Sequence, residues 1–122
     1  MKEYATEAQE QESLFEWIEY NAGKYPEASL CYHIANGGRR DKAEAAHLKS
    51  QGVKAGVPDL CLPVARGQFH GLYIELKRRQ GGIISDDQKR WIKTLREQGY
   101  VAEVCRGWEQ AAEMITKYLE LR

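Results

Sequence analysis

GVPDL at residues 56–60 and YIELK at 73–77, joined by CLPVARGQFHGL, form the stretch on which the reading of the fold turns. In GLYIELK, Leu72, Ile74 and Leu76 alternate with Tyr73, Glu75 and Lys77. A strand has a side-chain period of two, so Glu75 and Lys77 share one side and the three aliphatics the other. In DLCLPV, Asp59 opens a second short strand, on the face opposite Leu60, Leu62 and Val64. Paired as neighbours, the two strands bring two carboxylates and one ammonium together on the rigid part of the fold. A solvated sheet face with an exposed Glu–Lys pair is the plainer alternative, since exposed pairs contribute little. Against it, Pro58 fixes the backbone before Asp59 and holds Val57 extended, and Gly56 admits a close neighbour.

Two carboxylates can hold a hard cation such as Mg²⁺ through oxygen ligands. Such a cation polarises a phosphoryl oxygen and lowers the pKa of bound water, and a lysine beside it neutralises developing charge. Pro-Asp followed by Glu-x-Lys is thus the pattern of a metal-dependent phosphodiesterase site. The residues GVPDL and YIELK resemble the PD-(D/E)XK nuclease motif. The wider run, HIANGGRR at 33–40, KAGVPDLCLPV at 54–64 and IELKRRQGGIISDDQKRWIKTLREQGYVAEVC at 74–105, resembles the VRR-NUC domain, the virus-type replication-repair nuclease. The likeness covers nearly the whole chain. It implies an α/β, restriction-endonuclease-like core and a DNA endonuclease acting with Mg²⁺ or Mn²⁺. Asp59, Glu75 and the main-chain carbonyl of Leu76 would be the ligands, and Lys77 would position or activate the attacking water. It further implies an acid on the first helix facing the metal with a glutamine one turn later, a spacing that Glu7 and Gln11 fit; Glu10 and Glu12 compete for that role.

The chain has 122 residues, 43% hydrophobic and 30% charged, which is the size and composition of one folded domain spanning 1–122. No apolar run approaches the ~20 residues that cross a membrane, and the acidic start is no signal peptide. The expected setting is the cytoplasm of a bacterial or phage-infected cell. Formal net charge is zero, but its distribution is uneven. Residues 1–20 carry Glu3, Glu7, Glu10, Glu12, Glu16 and Glu19 against Lys2, while Arg39, Arg40, Lys42, Lys49 and Lys54 outweigh Asp41 and Glu44 in the middle. Such a basic middle, with Arg78 and Arg79 after the second acid, is compatible with a cationic DNA surface around an anionic site; a mosaic of solvated charge is the alternative. Cys31, Cys61 and Cys105 lie in segments read as strands and lack metal-binding spacing, so buried thiols are expected. His33, His47 and His70 show no zinc-ligand spacing with them.

Elsewhere the pattern predicts a helix over Thr6–Ala22 with Leu14, Phe15, Trp17 and Ile18 inward, and a strand over Leu30–Ile34. A turn at Asn36-Gly37-Gly38 follows, then a helix that Arg39 and Arg40 open and Gly52 closes. The turn either brings amides and arginines to a phosphate or only reverses the chain. Lys54, close to Asp59 in sequence, is the better candidate for a phosphate contact. Arg78–Ile84 reads as a basic loop beside the substrate or a mobile one. Ser85 with Gln88 reads as a capping box, which alone explains both residues; the family likeness also places a glutamine here near the site. Trp91, Ile92 and Leu95 make the buried side of that helix, ended by Gly99. A strand over Tyr100–Cys105 and a helix over Trp108–Leu121, with Ala111, Ala112, Ile115 and Leu119 inward, complete the order α-β-α-β-β-α-β-α. Trp108 reads as a core aromatic. DNA, possibly branched or junction-like in replication, repair or recombination, is the expected partner, with the chain a homodimer. A non-catalytic DNA-binding or assembly subunit is the rival, opposed by the intact Asp59, Glu75 and Lys77; an RNA-cleaving enzyme is a second.

Overall fold

The computed structural model describes residues 3–35 and 41–122. The chain forms α1 (Glu7–Tyr20), a 3-10 turn (Pro26–Leu30), β1 (Tyr32–His33), α2 (Lys42–Ser50), β2 (Leu60–Leu62), β3 (Leu72–Lys77), α3 (Asp86–Glu97), β4 (Val101–Arg106) and α4 (Trp108–Leu119). This is the expected order with one added turn. The strands make a single mixed sheet ordered β1-β2-β3-β4, antiparallel from β1 to β3 and parallel between β3 and β4.

The alternation along β3 sets the layers. Leu72, Ile74 and Leu76 join Leu60 and Leu62 in a core with Leu14 and Ile18 of α1 and Ala111, Ala112, Ile115 and Tyr118 of α4. On the other side Ile92 and Leu95 of α3 pack on Ala102, flanked by Tyr73, Trp91, Tyr100 and Val104. The sheet is therefore sandwiched, with α1 and α4 on one face and α3 on the other. The charged side of β3 is not solvated: Glu75 and Lys77 are only 1% and 7% exposed. This excludes the exposed-pair alternative.

Local chemistry moved several boundaries. Thr6 caps α1 in a reciprocal box with Gln9, and Asn21 stops it early because its main-chain and side-chain N–H groups both donate to the Trp17 carbonyl. The expected strand over Leu30–Ile34 shortens to Tyr32–His33, because a 3-10 turn takes in Leu30: Pro26 at its first turn carries a φ suited to helix, and the Ala28 and Cys31 amides close on Tyr25 and Ala28. Cys31 therefore precedes the strand, and Leu30 is exposed. α2 begins at Lys42 because Asp41, its N-cap, accepts from the Glu44 amide. The Asn36–Gly38 turn, Arg39 and Arg40 lie outside the described residues. α3 starts on the expected Ser85–Gln88 box. α4 ends at Leu119, and Tyr118, which the pattern did not single out, is buried with its hydroxyl donating to the Val64 carbonyl.

β4 is a sheet edge, and both of its ends are occupied. Arg96 Nε donates to the Ala102 carbonyl at 2.9 Å, and Gln110 Oε1 accepts the Arg106 amide at 2.8 Å.

Gly56 welds the segment before Asp59 to α3. Its φ is +90°, and an added Cβ would lie 2.6 Å from Asp87 Cβ and 2.7 Å from the Asp87 carbonyl carbon. Gly56→Ala is thus strained in backbone and blocked in space. We expect a loss of about 3 kcal/mol, read from the urea midpoint at unchanged m.

Candidate active site

Asp59 enters the site at the mouth of β2, held on two sides. Its carbonyl accepts the Ile34 amide at 2.6 Å and lies 3.1 Å from His33 Nδ1, so β1 grips its main chain. Its carboxylate Oδ2 accepts the Leu76 amide at 3.0 Å, tying it to β3. The register that opposes Leu60 to Ile74 opposes Pro58 to Leu76 when continued two residues. N–H and C=O of one strand residue point the same way, and proline has no N–H to donate. The Leu76 carbonyl is thus offered no ladder donor from position 58 and faces the space beside Asp59.

Glu75 stands on the same side of β3. Its Oε2 accepts Gln88 Nε2 at 3.2 Å and lies 3.6 Å from Lys77 Nζ. Its Oε1 is buried and meets no hydrogen-bond partner among the described residues. Glu7, at the first position of α1, completes a triangle: carboxylate oxygens of Glu7, Asp59 and Glu75 lie within 4.8 Å of one another. A buried acceptor left without a donor is destabilising unless something positive meets it.

The electrostatics agree. Burial, and then the Asp59 charge beside it, push the Glu75 carboxyl up to about 8, with Lys77 pulling the other way. Burial also raises Asp59, against the opposing hydrogen bonds from Glu75 and the Leu76 amide. Among the described residues, three acids are crowded against one buried ammonium. The donor set is all oxygen, which suits a hard divalent cation of the Mg²⁺ or Mn²⁺ kind. Glu75 Oε1 is the atom such an ion would satisfy.

Of the residues expected at the site, Asp59, Glu75, Lys77 and Leu76 come together with Glu7 and Gln88. Gln88 both caps α3 and donates to Glu75, so its two readings are one arrangement. Gln11 is half-buried one turn beyond Glu7, and Glu12 is exposed. Glu10 is buried elsewhere, accepting from Arg79 Nε at 3.0 Å and the Trp108 amide at 3.1 Å. Arg79, though part-exposed, is bound there and also pairs with Glu109; Arg78 and Lys54 are exposed. The loop Arg78–Ile84 is pinned by Arg106, whose guanidinium donates to the Gly81 and Gly82 carbonyls at 2.6 and 3.2 Å. The fixing of Asp59 by β1 and of this loop by Arg106 went unread, because neither His33 nor Arg106 belongs to a local pattern.

The model of the VRR-NUC domain matches residues 5–109. A solved structure described as a "VRR_NUC domain protein" is 33% identical over 98% of this chain and 93% of its own, with a TM-score of 0.85. No curated protein sequence matches the chain. The match of family model and solved fold spans the helix that carries Glu7, the strands that carry Asp59, Glu75 and Lys77, and the cap that carries Gln88, and it places this chain in the VRR-NUC family of nuclease-type domains.

Proposed function

We propose that this chain is a divalent-cation-dependent deoxyribonuclease of the PD-(D/E)XK type, acting through one nuclease domain over residues 1–122. The observation that carries the reading is the triangle of Glu7, Asp59 and Glu75, with Glu75 Oε1 buried and unpartnered and Lys77 Nζ 3.6 Å from the other oxygen. A cation held by Asp59, Glu75 and the Leu76 carbonyl, with Glu7 beside them, would supply Lewis acidity toward a phosphoryl oxygen. The protein's own groups do the rest. Lys77 directs hydrogen bonds to the attacking water and offsets negative charge at the phosphate. Gln88 keeps Glu75 oriented from the α3 side, and Asp59 is locked by the Leu76 amide before any substrate arrives. Hydrolysis adds water across one P–O bond, in line with the leaving oxygen.

The substrate would lie along the basic side of the site. α2 buries no residue, and Lys49 and Lys54 flank a groove floored by Ala45, Leu48, Val53 and Ala55. We assign Lys54 and Arg78, with Arg39 and Arg40, to phosphate contacts, and Arg79 to the scaffold. Because phosphate contacts release counterions, Lys54→Glu is expected to weaken DNA binding without changing its sequence preference. It should also lower the slope of log K against log salt by about 1, measured by fluorescence anisotropy over a salt series.

A single small domain offers a short binding face, which favours two copies acting together on branched or junction DNA in replication, repair or recombination. The deciding experiment offers single-stranded, duplex, flap and four-way junction DNA, with matched RNA, in Mg²⁺ and in Mn²⁺. Cation-dependent nicking of DNA, strongest on branched forms, is expected. Tight binding with no cleavage in either cation would make the chain a non-catalytic DNA-binding subunit instead.

A further inference from the structure

The three acids of the cluster come from different layers. Asp59 and Glu75 belong to the sheet, and Glu75 meets Gln88 of α3. Glu7 comes from α1, which packs on the opposite face through Leu14 and Ile18. Those two anchors lie one and two turns beyond Glu10. The first turn, Glu7-Ala8-Gln9-Glu10, offers no large apolar side chain to the core. Its capping box with Thr6 is internal to the turn. Glu10 is what docks it.

Glu10 is 1% exposed and spends both oxygens on other segments. Oε2 takes Arg79, two residues past Lys77, and Oε1 takes the amide that opens α4. A buried carboxylate is tolerated only with such partners, and the helix N-terminus at Trp108 adds a favourable dipole. Arg79 is fixed in turn. It pairs with Glu109 and passes close to Gly107, where an added Cβ would lie 3.0 Å from its Cζ. Residues three apart on a helix are face neighbours, so whatever holds Glu10 also aims Glu7.

We infer that Glu10 is a positioning residue for the cation cluster: its buried bonds to Arg79 and the Trp108 amide hold the first turn of α1 so that Glu7 reaches Asp59 and Glu75. The inference rests on reading the cluster as a cation site. Its test is a thermodynamic cycle with Mn²⁺ alone as the probe and no DNA. Mn²⁺ affinity is measured by calorimetry for the native chain, Glu10→Gln, Glu7→Gln and the double variant, with circular dichroism checking the fold. Glutamine keeps the size of Glu10 but offers one acceptor where two donors wait. Glu10→Gln should weaken Mn²⁺ binding about tenfold in the native background. It should add less than about twofold once Glu7 is already glutamine, because it acts through Glu7. Equal losses in both backgrounds, or no loss in the native one, overturn the inference while leaving the cation site standing. A native chain that binds no Mn²⁺ overturns both together. If Glu10→Gln does not fold, Arg79→Lys, which keeps the charge and loses the guanidinium fork, goes through the same cycle with the same expectations.

Discussion

Lys77→Ala is expected to slow cation-dependent DNA cleavage by about 10³-fold at saturating Mn²⁺, read as the single-turnover rate on a labelled junction or duplex. Among the described residues Lys77 is the ammonium that meets the acid cluster, 3.6 Å from Glu75 Oε2 and almost fully buried. In the proposed mechanism, removing it takes away both the donor that orients water and the charge that offsets the phosphate. Breaking a buried ion pair ordinarily destabilises by about 3–5 kcal/mol, because a charge is left behind. Here the partner can take a proton, since the Glu75 carboxyl already stands at about 8. The variant should therefore fold near neutral pH, and its defect should lie in the rate rather than in stability. Asp59→Asn should lose cleavage to a similar or greater extent, but with Mn²⁺ binding lost as well. A Lys77→Ala protein that cuts at the native rate removes lysine from the chemistry.

The second large effect is on stability. Glu75 in the folded, cation-free chain holds its proton up to about 8, whereas an unfolded glutamate releases it near its ordinary 4.5. Between those values the folded state binds more protons than the unfolded one. The stabilisation is complete below the unfolded value and is lost as pH rises toward 8, at no more than about 1.4 kcal/mol per pH unit for one proton. Asp59, raised in the same direction, adds to the same trend. The cation-free melting temperature should thus fall between pH 5.5 and 7.5 by about 5 °C or more. Millimolar Mn²⁺ should abolish the fall, since it replaces the proton with a better partner, and its stabilising effect should grow with pH. Glu75→Gln should flatten the profile. Scanning calorimetry across pH, with and without Mn²⁺, decides it; a melting temperature indifferent to pH would contradict the assignment of Glu75.

Much of this was readable in the chain itself. The alternation of Leu72, Ile74 and Leu76 with Glu75 and Lys77 is a strand signal that no other element imitates, and it set two layers and the core of the site. Ser85 and Gln88 are legible because a capping box is local in sequence. Glu7 and Glu10 were not separable in this way. They are the same residue type, three apart on one helix face, and what divides them is Arg79 and the Trp108 amide, 69 and 98 residues away from Glu10. Long-range partners leave no periodicity. The 3-10 turn that takes Leu30 from the expected strand is set by Pro26 at its start and by closure of the Ala28 and Cys31 amides, neither of which interrupts the alternation of the residues that follow.

The occupied ends of β4 bear on how two copies could meet. Arg96 and Gln110 already use the outward Ala102 carbonyl and Arg106 amide, so a neighbour seeking to extend the sheet there finds its terminal rungs taken. A pair of these domains is thereby steered away from a continuous ribbon and toward contact through side chains or helices. That leaves the acid cluster of each copy free to be set at an angle to the other instead of being locked in one plane.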